Sequence, residues 1–280
     1  MARVDELLRE GRERLAPVSE TAQLDAELLL GRALWCNRTW LYTWPEYEPD
    51  EDSEAHFRQM LGRRAAGVPV AYLLGMREFF GHRFRVTPDT LIPRPDTERL
   101  VEVALELLPE NEQRVADLGT GCGAVGISLA LERRSWHVII ADVHANALAV
   151  AEENTRRLVA RNVETVNSDW LDQVPTPLDA VISNPPYVPE TDRHLTEGDL
   201  RFEPTDALAA GPDGLDAIRT IIARAPERLE GEGWLVLEHG ADQGEAVRTL
   251  MRDAGFEAVA TERDLSGHER VTHGRLDVQR

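Results

Sequence analysis

From residue 114 onward the chain alternates short apolar runs with amphipathic stretches, and no other feature narrows its fold so far. Val115–Leu118, His137–Ala141, Thr165–Asn167, Ala180–Ser183, Trp234–Glu238 and Phe256–Val259 read as strands, with Arg270–Asp277 as a weaker seventh. Helices are expected near 124–133, 145–160, 215–229 and 242–254. This order calls for a mostly parallel sheet with helices on both faces. In such sheets ligands bind beyond the carboxyl ends of the strands, where the strand order reverses.

Those strand ends carry the informative residues. Asp117-Leu-Gly119-Thr120-Gly121-Cys122-Gly123 closes the first strand and opens a helix. Glycines there let the backbone turn tightly and let a ligand approach closely. Asp142 ends the next strand, about twenty residues on, where a carboxylate can hold both hydroxyls of a ribose. The pair implies an adenosine-containing cofactor. Gly121-Cys-Gly123-Ala-Val-Gly126 also fits a dinucleotide loop. An acid just before the glycines faces a pyrophosphate badly, however, and suits S-adenosylmethionine better: Asp117 can accept a hydrogen bond from the loop or from the cofactor's ammonium. Ser168-Asp169-Trp170, at the third strand end, offers an acceptor and an aromatic wall for adenine.

The fourth strand end is Asn184-Pro185-Pro186-Tyr187. Two prolines remove two N–H donors and hold the chain extended. The carbonyls are expected to be free for a ligand. Asn184 adds an acceptor and a donor, and Tyr187 a flat face. This corner suits an NH2 group on a planar system, either a carboxamide or an exocyclic base amine.

Residues 1 to about 75 read as helical. Val4, Leu7, Leu8 and Leu15 share one face, as do Leu24, Leu28 and Leu29. Glu46–Glu54 reads as a solvated acidic loop, and Ser53 as the cap of a helix carrying Phe57, Met60 and Leu61. Trp40 and Trp44 are expected to pack in a core, with a partner surface as the other reading. A hairpin about Gly81 follows, then Leu91-Ile-Pro-Arg94-Pro-Asp96-Thr97-Glu98, in which Asp96 or Thr97 can cap a helix and Arg94 can meet a carboxylate or order a loop.

Composition trims the functional classes. The net charge is -19, and every basic side chain apart from histidine is arginine. So acidic a chain is poorly suited to sequence-independent nucleic-acid binding, which rests on neutralising phosphates. The two cysteines, Cys36 and Cys122, form no Cys-x-x-Cys, so neither a disulfide scaffold nor a metal site is read. The charged N-terminus lacks a signal-peptide centre and no apolar run is long enough to span a membrane. A cytoplasmic protein is expected.

With these residues in hand, the chain resembles the release-factor glutamine N5-methyltransferases (PrmC, also called HemK). The resemblance rests on Pro69-Val-Ala-Tyr-Leu-Leu-Gly75, Arg77-Glu-Phe-Phe-Gly81, Leu91–Glu98, Asp117–Gly123, Asn184–Tyr187, Phe202-Glu-Pro204, Leu237-Glu-His-Gly240 and Glu269-Arg-Val271. The glycine loop is common to a large superfamily, and Asn-Pro-Pro-Tyr is shared with nucleic-acid amino methyltransferases. The Ile-Pro-Arg-Pro-Asp-Thr-Glu stretch beside a helical N-terminal domain is the specific part. Ala210–Leu215 departs from the family, which often has two adjacent glycines there.

The resemblance implies a class I S-adenosylmethionine-dependent methyltransferase, α/β and Rossmann-like, with a mostly parallel seven-stranded sheet. It implies a helical substrate-docking domain over 1–75, a hairpin and linker over 76–96, and a catalytic domain over 97–280. Gly119, Thr120, Gly121, Cys122, Gly123, Asp142, Trp170 and Asn184 would contact the cofactor. Asn184, Pro185, Pro186 and Tyr187 would hold the substrate amide, with Asn184, Pro185 and Tyr187 catalytic. The implied substrate is the glutamine of the Gly-Gly-Gln loop of class 1 peptide chain release factors, with no membrane and no direct nucleic-acid partner. Glu238 and His239 are expected to be structural rather than basic catalysts. The main alternative is an adenine-N6 or cytosine-N4 nucleic-acid methyltransferase using the same tetrapeptide. A non-enzymatic adaptor leaves the intact strand ends unexplained, an NAD-dependent dehydrogenase leaves Asn-Pro-Pro-Tyr unexplained, and no residue cluster suggests haem or flavin.

Overall fold

A computed structural model describes residues Ala2–Asp277; Met1 and residues 278–280, which fall in the expected 1–75 and 97–280 domains, lie outside the described residues. By contacts the chain forms two units. One comprises residues up to Met76 together with Gly198–Phe202, and the other comprises Arg77–Glu197 and the chain from Glu203 onward.

The first unit is helical: α1 (Val4–Leu15), α2 (Ala22–Ala33), α3 (Arg38–Thr43), α4 (Glu51–Ala65) and α5 (Val70–Leu74). Its core takes Val4, Leu7, Leu8 and Leu15 from α1 and Phe57, Met60 and Leu61 from α4, the faces the spacing foretells. The face of α2 differs from expectation. Leu24 is exposed, and Ala22, Ala26, Leu29, Leu30 and Ala33 are buried. The cap of α4 is Asp50, not Ser53: its Oδ1 accepts from Ser53 N at 2.8 Å. The helix therefore begins inside the acidic stretch, whose carboxylates suit the positive end of the helix dipole. Trp40 packs partly against the core, edge-on to Tyr47, while Trp44 is exposed. Gly198–Phe202 is fixed to this unit by buried Arg64, which bridges Asp25 (2.8 Å) and Asp199 (2.7 Å), and by Arg201 donating to the Ala66 carbonyl.

Apart from Met76, the two-stranded sheet of β1 (Met76–Phe79) and β2 (His82–Arg85) belongs to the second unit and is followed by α6 (Glu98–Leu107). Then come β3 (Arg114–Leu118), α7 (Ala124–Glu132), β4 (His137–Asp142), α8 (Ala145–Arg157), β5 (Val163–Asn167) and β6 (Leu178–Ser183). The chain ends with α9 (Asp216–Arg224), β7 (Leu229–Glu238), α10 (Gly244–Asp253), β8 (Phe256–Arg263) and β9 (Glu269–Leu276). All the expected strands are present in one seven-stranded sheet of order β5-β4-β3-β6-β7-β9-β8. β3 to β7 pair parallel with one another, and β9 runs antiparallel to both β7 and β8.

The register positions the site. Leu118 pairs with Ala141 on one side and Ser183 on the other, and Ser183 pairs with Leu237. The strand order reverses between β3 and β6, so Gly119 and Asn184 leave the sheet side by side. Ser183 Oγ donates to the Leu118 carbonyl at 2.7 Å and clamps the two ends together. The strands beneath are apolar on both faces, with Val115, Ala116, Val138–Ala141 and Ala180–Ile182 all buried, as parallel strands covered by helices must be.

Candidate active site

The glycine loop is shaped by its backbone. Gly119, Gly121 and Gly123 have φ of 64°, 57° and 85°. A Cβ on Gly123 would lie 2.5 Å from Ile127 Cδ1. On Gly121 it would meet nothing within 4 Å, because that residue borders open space. Asp117 ties the loop down: its Oδ2 accepts from Thr120 Oγ1 at 2.5 Å and from Gly126 N at 2.9 Å. Burial pushes its carboxyl up to about 7, and the Asp142 charge adds to this, while the Thr120 and Gly126 hydrogen bonds oppose it. Of the two partners open to it, the loop is therefore one Asp117 does take.

Asp142 closes β4 beside the loop. Its Oδ2 accepts from Gly121 N and its Oδ1 from His144 N, each at 2.9 Å. A carboxylate has about four acceptor positions, so both oxygens retain capacity toward a ligand. Trp170 follows Ser168 with φ 51°, held by Ser168 Oγ donating to its carbonyl at 2.8 Å. Its ring lies 3.5 Å from where a Gly119 Cβ would stand. Cys122 is buried, and desolvation pushes its thiol up to about 12, so it carries no reactive thiolate.

One open cleft of about 730 Å³ collects these groups, counting the space continuous with solvent: Gly119, Gly121, Asp142, Trp170, Asn184 and Pro186 line it. Pro204 and Asp206 form part of another wall. A smaller adjoining hollow, lined by Asp117, Thr120, Cys122 and Thr97, also reaches Asn184. Of the cofactor and substrate residues expected from the sequence, Gly123, Pro185 and Tyr187 line neither hollow.

The tetrapeptide is less free than its two prolines suggest. The Tyr187 carbonyl accepts from Gln243 Nε2 at 3.0 Å, and the next residue, Val188, exchanges hydrogen bonds with Leu208 and Ala210. Tyr187 packs against the main core and its hydroxyl donates to Glu238 Oε1 at 3.3 Å. Burial and the Glu238 charge push its phenol upward. Burial likewise pushes Glu238, 1% exposed, up to about 7, against the pull of Thr97, Arg270 and Tyr187. His239 is buried between the Gly240 carbonyl and Thr272, and desolvation lowers its pKa, which gives it a structural place.

Arg94 pairs with Glu203, whose side chain is wholly buried and also accepts from Ile92 N at 3.0 Å. Asp96 faces Arg270 and caps nothing. Thr97 holds the cap position of α6 but makes no side-chain cap; its hydroxyl accepts from Asn184 Nδ2 at 3.1 Å.

Two family profiles match the chain, the PrmC N-terminal domain over residues 6–75 and the methyltransferase small domain over residues 98–199. Release factor glutamine methyltransferases of Pseudomonas aeruginosa and Vibrio cholerae are 48% and 44% identical over 264 residues. The matches cover 92% and 94% of this chain and 94% and 92% of theirs. The chain belongs to the release factor glutamine methyltransferase family. Solved structures agree on the fold. The hMettl16 catalytic domain in complex with a MAT2A 3′UTR hairpin superposes with a TM-score of 0.59 at 16% identity, covering 79% of this chain and 82% of that one. A methyltransferase from Pyrococcus furiosus gives 0.55 at 16% identity, covering 79% and 98%. The fold of this methyltransferase is thus class I.

Four residues escaped the sequence reading. Glu203 lies in Phe202-Glu-Pro204, which carried the resemblance but no role, Gln243 sits in ordinary surroundings in the sequence, and Gly214 lies in the stretch that departs from the family. A Cβ on Gly214 would stand 2.2 Å from the Tyr187 carbonyl oxygen. Asn154, wholly buried on α8, bonds the backbone of Arg85 in β2 and donates to the Cys122 carbonyl at 2.8 Å, joining the hairpin to the glycine loop. A buried asparagine on an otherwise apolar helix face was the available signal.

Proposed function

We propose that this chain transfers a methyl group from S-adenosylmethionine to the side-chain amide nitrogen (N5) of the glutamine in the Gly-Gly-Gln loop of class 1 peptide chain release factors. The observation that carries the reading is the cleft that the glycine loop, Asp142, Trp170 and Asn184 share at the reversal of strand order. Membership of the release factor glutamine methyltransferase family supports it.

The residues fit the cofactor. The open space at Gly121 is the kind a ligand fills, and the buried Asp117 carboxyl suits a nearby ammonium. In this reading Gly119, Thr120, Gly121, Cys122 and Gly123 border the amino-acid end, Asp142 takes ribose hydroxyls, and Trp170 walls the adenine. S-adenosylmethionine, when bound, supplies an electrophilic methyl group on a sulfonium. The rest of the chemistry falls to the chain. An amide nitrogen is a poor nucleophile because its lone pair is delocalised into the carbonyl. Asn184 Oδ1 and the Pro185 carbonyl accept its two hydrogens, fix its direction and favour a more pyramidal nitrogen. Pro186 stiffens the corner, and Tyr187, which lines neither hollow, supports it from the core through Glu238 instead of meeting the amide plane. Alignment of this kind is worth up to about 7–11 kcal/mol, against roughly 0.5–1.5 for one neutral hydrogen bond, so positioning dominates.

The helical residues 1–75 are the proposed release-factor docking domain, 76–96 its hairpin and linker, and 97–280 the catalytic domain. Exposed Trp35, Tyr42, Trp44 and Tyr47 give the helical unit aromatic surface suited to a protein partner. No helix among the described residues is long and apolar enough to cross a membrane, and a cytoplasmic location is proposed with the function. The nucleic-acid alternative draws no support from the curated relatives and sits poorly with the charge of -19. The test is methyl transfer from labelled S-adenosylmethionine to a release factor, to the same factor with its Gly-Gly-Gln glutamine changed to alanine, and to duplex DNA and ribosomal RNA. Label on the intact factor alone is expected. Label on nucleic acid overturns the substrate.

A further inference from the structure

Thr97 spends its hydroxyl in an unusual way for a residue at the start of a helix. It caps nothing, and its Oγ1 instead accepts from Asn184 Nδ2 at 3.1 Å across 87 residues of sequence. Thr97 is 4% exposed, so water does not compete for it. A hydroxyl that accepts at its oxygen still has its own hydrogen to donate. The acceptor it meets is the Glu238 carboxyl, which the Thr97 hydroxyl pulls toward its charged form. That carboxyl is 1% exposed, takes the Tyr187 hydroxyl on Oε1, and has no partner at hydrogen-bond geometry on buried Oε2. Register explains the meeting: Ser183 pairs with Leu237, so Asn184 and Glu238 are the next residues out from adjacent strands.

We propose that Glu238 and Thr97 are positioning residues that set which atom of Asn184 faces the cleft. Glu238 draws the Thr97 hydroxyl hydrogen toward itself, so Thr97 is left as an acceptor. Asn184 then turns Nδ2 to Thr97 and presents Oδ1 to the substrate. Glu238 holds Tyr187 through the same carboxylate. This inference rests on the glutamine reading of the site and adds its specificity. An acceptor at that point welcomes the NH2 of a carboxamide and repels a carboxylate. The pocket would thus reject glutamate, of nearly the same shape, through the polarity of one buried hydroxyl.

A carboxamide in place of Glu238 carries a single acceptor oxygen. With the Tyr187 hydroxyl on that oxygen, its NH2 faces Thr97 as a donor. The Thr97 hydrogen must then find another acceptor, and Asn184 Oδ1 is in reach once its amide turns over. Nδ2 would then face the cleft.

The experiment uses the full chain, saturating S-adenosylmethionine and a release factor carrying its Gly-Gly-Gln loop. It is run about one pH unit above the Glu238 carboxyl's value of about 7, so that the carboxylate is charged. The charged and titratable groups facing that carboxyl are Tyr187, Arg270 and Asp96. Single-turnover rates are compared for the wild type, T97V, T97S and E238Q, with cofactor Kd and Tm as checks on folding. T97V is expected to lower the rate about tenfold, the size of one lost hydrogen bond, with cofactor Kd little changed. T97S is expected to recover most of the loss. A structural role alone would leave one further readout unmoved: competition by a factor whose Gly-Gly-Gln glutamine is changed to glutamate. E238Q is expected to narrow the preference for glutamine over glutamate severalfold. An active wild type with T97V at its full rate overturns the proposal. If T97V fails to fold, an unchanged preference in E238Q overturns it. A wild type that leaves the glutamine unlabelled overturns the glutamine reading itself, and this inference with it.

Discussion

Replacing Arg94 with alanine tests how the wall of the cleft is held. Arg94 is the partner of Glu203, whose side chain has no solvent exposure and whose other contact is Ile92 N at 3.0 Å. Glu203 is followed by Pro204 and Asp206, which line the cleft. Removing one member of a buried ion pair typically costs about 3–5 kcal/mol, because the other charge is left without compensation. The Arg94 side chain is 37% exposed, so water can partly replace it. The expected cost is therefore nearer 2 kcal/mol, or roughly 4–8 °C in Tm for a unit of this size. R94A, E203Q and the double variant form a cycle. The single R94A change should be the worst. E203Q removes the stranded charge, so the double variant should recover about 1 kcal/mol or more relative to additivity. Denaturant unfolding gives the stabilities, and cofactor titration gives the effect on the wall. R94A within about 0.5 kcal/mol of wild type, or a cycle with no coupling, would refute the argument that Arg94 works through Glu203.

Asn184→Ala should leave cofactor Kd within severalfold while lowering single-turnover methylation by orders of magnitude, since alignment carries the chemistry; near-normal turnover removes Asn184 from the proposed role. Gly214→Ala places a Cβ 2.2 Å from the Tyr187 carbonyl oxygen at φ 75°. Left-handed strain alone costs about 1–2 kcal/mol, and a backbone oxygen cannot swing aside, so both Tm and turnover should fall; a neutral substitution contradicts that contact. Glu238 titrates at about 7 instead of 4.5, so its native form favours the proton. Its stabilising contribution is full below its unfolded value and is lost as pH rises through about 7, at most on the order of 3 kcal/mol. Relative to E238Q, the wild type should therefore lose unfolding free energy across that interval, and a pH-independent difference would show that the carboxyl is not so perturbed.

What could be read early was what depends on near neighbours in the chain. Apolar runs marked β3, β4, β6 and the second half of β7, because a strand covered on both faces must be apolar along its length; β5 and β8, at the sheet edges, are interrupted by polar residues. Glycines at 119, 121 and 123 announced a tight turn, and each has the positive φ that favours glycine. Caps were read less well. Asp50 outcompetes Ser53 because the helix starts inside an acidic run, and Thr97 leaves its cap position to serve Asn184. Trp44 is exposed although its composition suits a core.

The partners of the polar side chains were not legible, and the reason is physical. Period and turn chemistry act over a few residues, whereas the Thr97 hydroxyl meets Asn184 across 87 residues and Arg94 meets Glu203 across 109. Those pairings follow from the strand order β4-β3-β6-β7, which lines up Asp142, Gly119, Asn184 and Glu238 at one edge of the sheet. Local sequence is enough to say that a cofactor loop, a ribose acid and an amide acceptor exist. Which atom of Asn184 faces the cleft, and which carboxylate stands behind it, depends on distant strand ends being brought into register by the packing of the whole sheet.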